Sequence, residues 1–435
     1  MFEKEQKREL YFYTLITQAP NKRQKMLIES KDELINKINT VFTPTNPVET
    51  LNLFAGRQKQ LEKIKSTLTE KGCHMIVYGD RGVGKTSIAN ISKVLFNSLN
   101  SSISCTKISC DPTETFNSIW KRTLNQITVE LSVEQERQIG FIVDTSDPKE
   151  LKKKVPLGNY ISSDDELTAS DIIDLLKIGC PEQKCLFIFD EFDRVQDIEI
   201  KKKFTFLMKH LSDSPFDKTL MLVGIAEDIE ELIESHQSLE RCLKQIRLPR
   251  MSEDEITEIV EKGLKYLDIT MDSNVKRKII NLSEGLPQYT HLFCNNSTKR
   301  TVENNRNVVD LKDFRHSINL TLENMDESIR RVYQKAILDD RQNIYENLLI
   351  ACALVNTDQF NSFTNTSIKT SMSLIFKDNK RSYLEFLNQL CEENRGKILK
   401  RRGTQRQYKF EFRNPILKTF IKLKAEERGI NTTLK

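Results

Sequence analysis

Residues 79–86, Gly79-Asp80-Arg81-Gly82-Val83-Gly84-Lys85-Thr86, fit the pattern G-x-x-x-x-G-K-[ST] and constrain this 435-residue chain more than any other stretch. Apolar Met75-Ile76-Val77-Tyr78 precedes them and reads as a strand; Ser87 to Phe96 follows and reads as a helix. A chance Gly-rich turn would lack that strand–loop–helix context. Glycines let backbone N–H groups point inward at phosphate oxygens, where side chains would block them. Lys85 supplies a point charge for β- and γ-phosphates, and the Thr86 hydroxyl can ligate Mg²⁺. The expected cradle comprises Gly79, Asp80, Arg81, Gly82, Val83, Gly84, Lys85, Thr86 and Ser87.

A second motif follows downstream. Cys185-Leu186-Phe187-Ile188-Phe189 is a continuous apolar run ending in Asp190-Glu191. Such a run reads as a parallel strand buried on both faces. Carboxylates at its C-terminal end would stand where open α/β sheets bind ligands. Asp190 is expected to hold Mg²⁺, and Glu191 to act as general base toward water. Taken alone, the pair could be a solvated acidic turn, since Asp193 and Arg194 follow; beside the phosphate loop the chemical reading prevails.

Composition narrows the class. No apolar run reaches membrane-spanning length, and Met1-Phe2-Glu3-Lys4-Glu5 is unlike a signal peptide, so no membrane role and a cytoplasmic location are expected. Nine cysteines are scattered without a C-x-x-C pair, and there are five histidines, which argues against structural zinc or a disulfide framework and for reduced core thiols. A net charge of +5 is too small to imply nucleic-acid binding by itself, so the distribution of charge matters.

Four segments are expected. Residues 1–50 read as a helical leader carrying Tyr11, Phe12 and Tyr13, closed by the turn-rich Phe42-Thr43-Pro44-Thr45-Asn46-Pro47. Residues 51–251 alternate strands (74–79, 103–109, 185–189, 219–225, 244–248) with helices (57–70, 85–98), which implies a parallel sheet covered on both faces. Residues 129–170, charged and carrying Pro148 and Pro156, read as an insertion or long loop. Residues 252–326 are helical from a capped start at Ser252-Glu253-Asp254-Glu255, with Gly285-Leu286-Pro287 as a breaker. Residues 327–435 offer helices near 344–355, 365–376 and 380–393, then alternating Gln407-Tyr408-Lys409-Phe410-Glu411-Phe412 after a turn. Three helices and a hairpin are the parts of a winged helix-turn-helix.

With Phe54-Ala55-Gly56-Arg57 before a helix, the phosphate loop, the acidic strand and the helical segment after the sheet, the chain resembles AAA+ ATPases of the origin-recognition-complex-like branch. It is similar to bacterial ATP-binding proteins with F-x-G-R, G-L-P-x-Y and a C-terminal winged helix, over roughly residues 42–425. The resemblance implies an α/β P-loop sheet domain, an all-α lid and a winged helix. It implies ATP/ADP and Mg²⁺ as cofactors, with Gly56, Arg57 and Pro287 beside the nucleotide. Arg241 is expected to reach a neighbouring subunit's nucleotide, or else to be a surface ion pair. The strand 221–228 resembles a sensor strand with Glu227 where relatives carry Asn, and Gln288 stands where many carry Arg. Slow hydrolysis, with ATP acting chiefly as a conformational switch, is the consequence.

Basic residues crowd the C-terminal hairpin: Arg395, Lys397, Lys400, Arg401, Arg402, Arg406, Lys409 and Arg413, opposed there by Glu411 alone. Lys400, Arg401, Arg402 and Arg406 are expected on a DNA backbone, with a helix near Lys380-Arg381-Ser382-Tyr383 in the major groove. Phe410, Phe412 and Leu417 are expected in the core. The alternative is a winged helix for protein contacts, in a signalling or scaffold ATPase that assembles with itself or an effector. A metabolic kinase would leave the hairpin unexplained.

Overall fold

The computed structural model describes residues 22–99, 103–130, 154–161, 166–226, 239, 241–338, 342–358, 361–380, 382–404 and 407–430. Five strands form one parallel sheet: β1 (His74–Gly79), β2 (Ile103–Ser109), β3 (Lys184–Asp190), β4 (Lys218–Ile225) and β5 (Leu243–Arg247), in the order β2-β3-β4-β1-β5. All five lie at or within a residue of the strands expected from the sequence. In β3, Leu186 and Ile188 enter one hydrophobic core while Phe187 and Phe189 enter the other, so a strand without polar alternation is buried on both sides. Trp120, Phe116 and Phe204 stack edge-on around Phe189 and Phe187 in the second core. Parallel register sets Gly79 opposite Ile225 and Asp190 opposite Ser109. The C-terminal strand ends therefore meet at one edge.

α1 (Lys22–Val41) precedes the sheet domain; around the sheet pack α2 (Gln58–Thr69), α3 (Lys85–Leu99), α4 (Phe116–Leu124), α5 (Ala169–Gly179) and α6 (Ile198–Ser212). Of the expected insertion, residues 128–130 pair antiparallel with 154–156, and a short 3-10 turn at 157–160 buries Leu157; the stretch between lies outside the described residues. Four helices then form the roof: α7 (Glu253–Leu267), α8 (Ser273–Leu282), α9 (Pro287–Glu303) and α10 (Leu311–Glu323). α7 starts on a capping box between Ser252 and Glu255, as the sequence indicated. α1 packs on this roof through Ile38, Val41 and Phe42.

The last third holds α11 (Glu327–Ala336), α12 (Ile344–Leu354), α13 (Asn365–Phe376), α14 (Leu384–Gln389) and α15 (Pro415–Glu427). Strands β6 (Phe363–Thr364), β7 (Leu399–Arg402) and β8 (Lys409–Phe412) form an antiparallel sheet in the order β6-β8-β7. Phe410 and Leu417 are buried, and Phe412 is partly so.

One expectation fails here. A helix over 380–393 does not form, and α14 is only the six residues Leu384–Gln389. Tyr383 is fully buried, its amide bound to Asn365 Oδ1 at 3.0 Å and its hydroxyl to the Asp378 carbonyl at 3.1 Å. A residue anchored inside in that way is not presented to a DNA groove.

Gly263 in α7 sits so close to Phe42 that an added Cβ would lie 2.3 Å from its ring. Gly263→Ala should lower the melting temperature by overpacking, about 1–3 kcal/mol of destabilisation, with α1 becoming cleavable in limited proteolysis. Unchanged melting and cleavage would mean that α1 does not depend on this contact.

Candidate nucleotide-binding site

The phosphate loop leaves β1 at Gly79 and enters α3 at Lys85. Gly82 (φ 83°) and Gly84 (φ 94°) take conformations that L side chains rarely adopt. Their open faces look at the roof: a Cβ on Gly84 would lie 3.6 Å from Pro287 Cγ, and one on Gly82 3.4 Å from Gln288 Oε1. The breaker thus lies directly over the loop. A cavity of about 410 Å³ lies between them.

Lys85 donates from Nζ to the carbonyls of Gly79 (3.0 Å) and Asp80 (2.7 Å). Burial pushes its ammonium down to about 8, against the pull of Asp193, Asp80 and Asp190 and with a further push from Arg81. The Thr86 hydroxyl lies 3.5 Å from Asp190 Oδ1, which also accepts from the Glu191 amide at 3.0 Å. Asp190 is 2% exposed. Its Oδ2 faces Lys107 Nζ at 3.1 Å without hydrogen-bond geometry. Lys107 donates in turn to Asn90 Oδ1 at 2.6 Å. Glu191 has a left-handed backbone (φ 55°) and pairs with Arg194 at 3.0 Å. Asp193 Oδ1 receives the Ile225 amide at 2.8 Å, tying this turn to the end of β4.

Phe54-Ala55-Gly56-Arg57 is clasped by α7. Gly56 N donates to Glu258 Oε2 (3.0 Å), Arg57 N to Glu255 Oε1 (2.7 Å), and Lys262 Nζ to the Phe54 carbonyl (2.8 Å). Arg57 is 2% exposed and braces the phosphate loop by donating to the Val83 carbonyl at 2.9 Å. Burial pulls its guanidinium below its ordinary value, with Glu255 opposing. Its Nε and Nη1 have no partner among the described residues. Ser87 Oγ accepts from Val48 N at 3.1 Å, fixing the segment before this box.

The structure thus brings Arg57, Arg81–Ser87, Asp190, Glu191 and Pro287 around one cavity, whereas Gly56, Gly79 and Asp80 do not line it: Gly79 packs against the Leu248 carbonyl and Gly56 against Glu255. Arg241 is elsewhere: it is exposed, just before β5, where His74 pairs with Leu243 at the opposite sheet edge. Glu227, Asp228 and Arg406 lie outside the described residues. Lys400 and Arg402 both pair with Glu411, at 3.2 and 2.5 Å. The Arg401 guanidinium lies over Tyr408 at 4.4 Å and donates to Asn388 at 2.9 Å. Sequence reasoning missed Lys107, Asn90, Glu255 and Glu258. Lys107 had a signal: it is the lone charge in the strand Ile103-Ser104-Cys105-Thr106-Lys107-Ile108-Ser109.

This strand order, with a phosphate loop after β1 and an acidic pair ending β3 under a helical roof, defines an AAA+ P-loop NTPase fold. The sequence model of the family Novel STAND NTPase 1 (nSTAND1) matches residues 47–395. The chain belongs to that family. Similar solved structures include the Walker-type ATPase of Pyrococcus abyssi (16% identity, 88% of this chain and 99% of that one, TM-score 0.48). Cdc6p of Pyrobaculum aerophilum follows at 15% identity, 89% and 98% coverage, TM-score 0.45. The ORC1 protein of Aeropyrum pernix, solved with DNA, is 12% identical over 90% of this chain and 96% of that one, TM-score 0.44. No curated protein matches the sequence significantly.

Lys85 generates a pH signature. Below pH 8 it is already charged in the free protein; above, it must take up a proton to meet phosphate. Triphosphate affinity should be flat near neutrality and fall above pH 8, approaching about tenfold per pH unit. Lys85→Arg, whose guanidinium does not titrate, should flatten the profile. Calorimetry in buffers of different ionisation enthalpy reads the proton uptake directly; no uptake at alkaline pH would remove Lys85 from the phosphate site.

Proposed function

We propose that this chain is an ATP-dependent switch with slow ATPase activity, in which the nucleotide controls how its C-terminal, winged-helix-like domain is held. One observation carries the reading. Glu284, immediately before the Gly285-Leu286-Pro287 breaker, has a side chain 9% exposed and binds across three parts of the molecule. It pairs with Lys418 (2.7 Å) and Lys422 on α15, and with Arg250 Nη1 (3.5 Å) at the end of the sheet domain. Arg250 Nε stands 3.8 Å from Asp80 of the phosphate loop. Burial would raise the Glu284 carboxyl, but Lys418 and Lys422 overcome that and hold it at about 2. A line of charge therefore runs from the phosphate loop through the roof to the last helix.

In this reading, the loop amides, Lys85 and Arg57 hold the phosphates. Thr86 and Asp190 would hold Mg²⁺: both offer hard oxygen donors, and the buried Asp190 Oδ2 lacks a hydrogen bond. Bound there, the ion would neutralise phosphate charge. Glu191 takes a proton from water once freed from Arg194. Gln288 brings no cation from the roof to the γ-phosphate, which supports slow turnover and a switching role. Arg241, far from its own cradle, could serve only a neighbouring copy.

Two measurements test this. Glu191→Gln should bind ATP like the parent while turnover falls about 10²–10⁴-fold; equal turnover would remove Glu191 as the base. Glu284→Gln leaves buried ammonium groups without their counter-charge, a loss of about 3–5 kcal/mol of docking. Hydrogen exchange of α15 should then be fast with ADP and ATP alike, whereas the parent distinguishes them. A parent whose α15 exchanges identically in both nucleotides would overturn the switch.

A second reading, DNA engagement, rests on the half-exposed Arg402 and exposed Arg401 at the hairpin end. It requires duplex affinity that falls with salt and with neutralisation of Lys400, Arg401 and Arg402. Absence of such affinity, with nucleotide-dependent self-assembly or effector capture, leaves the protein-contact reading.

A further inference from the structure

A side-chain donor at the cavity wall is not used by anything above. Residues 43–48 form a strap between α1 and the sheet domain, and they line the cavity. The strap is tied at both ends. Val48 N donates to Ser87 Oγ at 3.1 Å. At the other end Asn295 Nδ2 donates to the Phe42 carbonyl (2.7 Å), and Thr43 N donates to His291 Nδ1 (3.2 Å).

His291 follows Pro287 by one turn on α9, so both face the same side. Pro287 covers Gly84 of the phosphate loop. His291 therefore lies about 6 Å further along the roof, away from the phosphates. The cavity's apolar lining comes from Val48, Leu53, Phe54, Met251 and Ile259. Such a slot suits a flat aromatic ring.

The chemistry of the imidazole is fixed by its neighbours. Nδ1 accepts a backbone N–H, so the proton of the neutral ring sits on Nε2. His291 is 7% exposed, and burial pushes it down to about 4, so the ring is neutral at physiological pH. Nε2–H has no partner among the described residues, yet the residue lines the cavity. A donor at the cavity wall with no protein acceptor is open to a ligand that supplies one.

We infer that His291 is a specificity residue that reads the nucleobase by donating Nε2–H to a ring nitrogen of adenine. This rests on the nucleotide-site reading above. A purine ring nitrogen is a lone-pair acceptor lying in the ring plane, the geometry that an in-plane imidazole N–H meets. Guanine carries a hydrogen on N1 where adenine has a lone pair, so a fixed donor facing N1 excludes guanine there. The Thr43 bond makes the strap part of the same device, because it holds the tautomer.

The test uses the full chain and titrates ATP against 1-deaza-, 3-deaza- and 7-deaza-ATP, each replacing one ring nitrogen by C–H. One analogue should bind about tenfold more weakly than ATP. That same analogue should match ATP in His291→Phe, which keeps a ring and removes the donor. His291→Gln, whose amide nitrogen reaches the Nε2 position, should restore the discrimination. Equal binding of all three analogues by the parent overturns the inference. So does a discrimination that persists in His291→Phe, or a loss seen only with 2′-deoxy-ATP, which would assign the donor to the ribose. Should the parent bind no ATP at all, the nucleotide site itself fails; ATP binding without deaza discrimination defeats only the role of His291.

Discussion

A single buried carboxylate, Glu284, fixes how the roof, the sheet domain and the C-terminal domain meet. It has a left-handed backbone (φ 52°), followed by Gly285 in the same region (φ 71°), where an added Cβ would lie 2.5 Å from the Met251 carbonyl. The Gly285 carbonyl in turn accepts from Met251 N at 2.8 Å. The turn is therefore locked to the end of the sheet domain by backbone as well as by charge. The same turn sets Pro287 and Gln288 over the loop glycines. Burying such a cluster gives little net stability, because desolvation offsets attraction; its clearest use is registry. Here, the register of α15 and the height of the roof over the phosphate loop are set by the same residue.

Charge at the sheet edge follows the same rule. Asp190 is almost wholly buried, and a buried charge needs a partner. Lys107, one strand over, supplies it at 3.1 Å and is itself oriented by Asn90. Parallel pairing makes this possible: Ser109 faces Asp190, so Lys107, two residues back, shares the face of Ser109. Arg57 is the counterpart on the other side of the loop. Its Nε and Nη1 are buried and have no partner among the described residues, and Arg57 lines the cavity. The cavity walls thus hold their charges ready.

The centre of the sheet could be read from the chain because buried parallel strands are continuous apolar runs, as in 185–189 and 219–223, while the outer strands Ile103–Ser109 and Leu243–Arg247 carry polar residues and were placed by the alternation of strands and helices. The phosphate loop and its acidic partner were legible because phosphate chemistry demands particular residue types at fixed spacing. What stayed hidden depends on pairing at long range. Lys418 and Lys422 lie four residues apart and read as a solvated helix face; only the fold shows them converging on Glu284. The last helix itself went unread, as did strand β6, two residues long. The helix expected over 380–393 was misplaced because the register of Tyr383, inward rather than outward, is decided by Asn365 and Asp378 from another element. His291 gave no signal at all, since its role is set by the amide of Thr43, 248 positions away in the chain.

The balance of charge in the last domain bears on which of the two functional readings the molecule favours. Its hairpin reads as a run of free cations in sequence. In the fold, Glu411 engages Lys400 and Arg402, Tyr408 and Asn388 engage Arg401, and Asp358 takes Lys409 at 2.8 Å. Arg395 is turned inward onto the Tyr345 ring at 3.9 Å and donates to the Ala336 carbonyl. The cations that are most deeply buried, Lys418 and Lys422, face the roof. Binding a duplex would require several of the hairpin contacts to be exchanged for phosphate. α15 is held by the Glu284 cluster, by Lys278–Glu426 and by Lys422–Asn281, and the first of these touches Asp80 through Arg250. Under the proposed function, the charge contacts nearest the phosphate loop run through the roof to α15 rather than through the hairpin, which favours the protein-contact reading over the DNA reading.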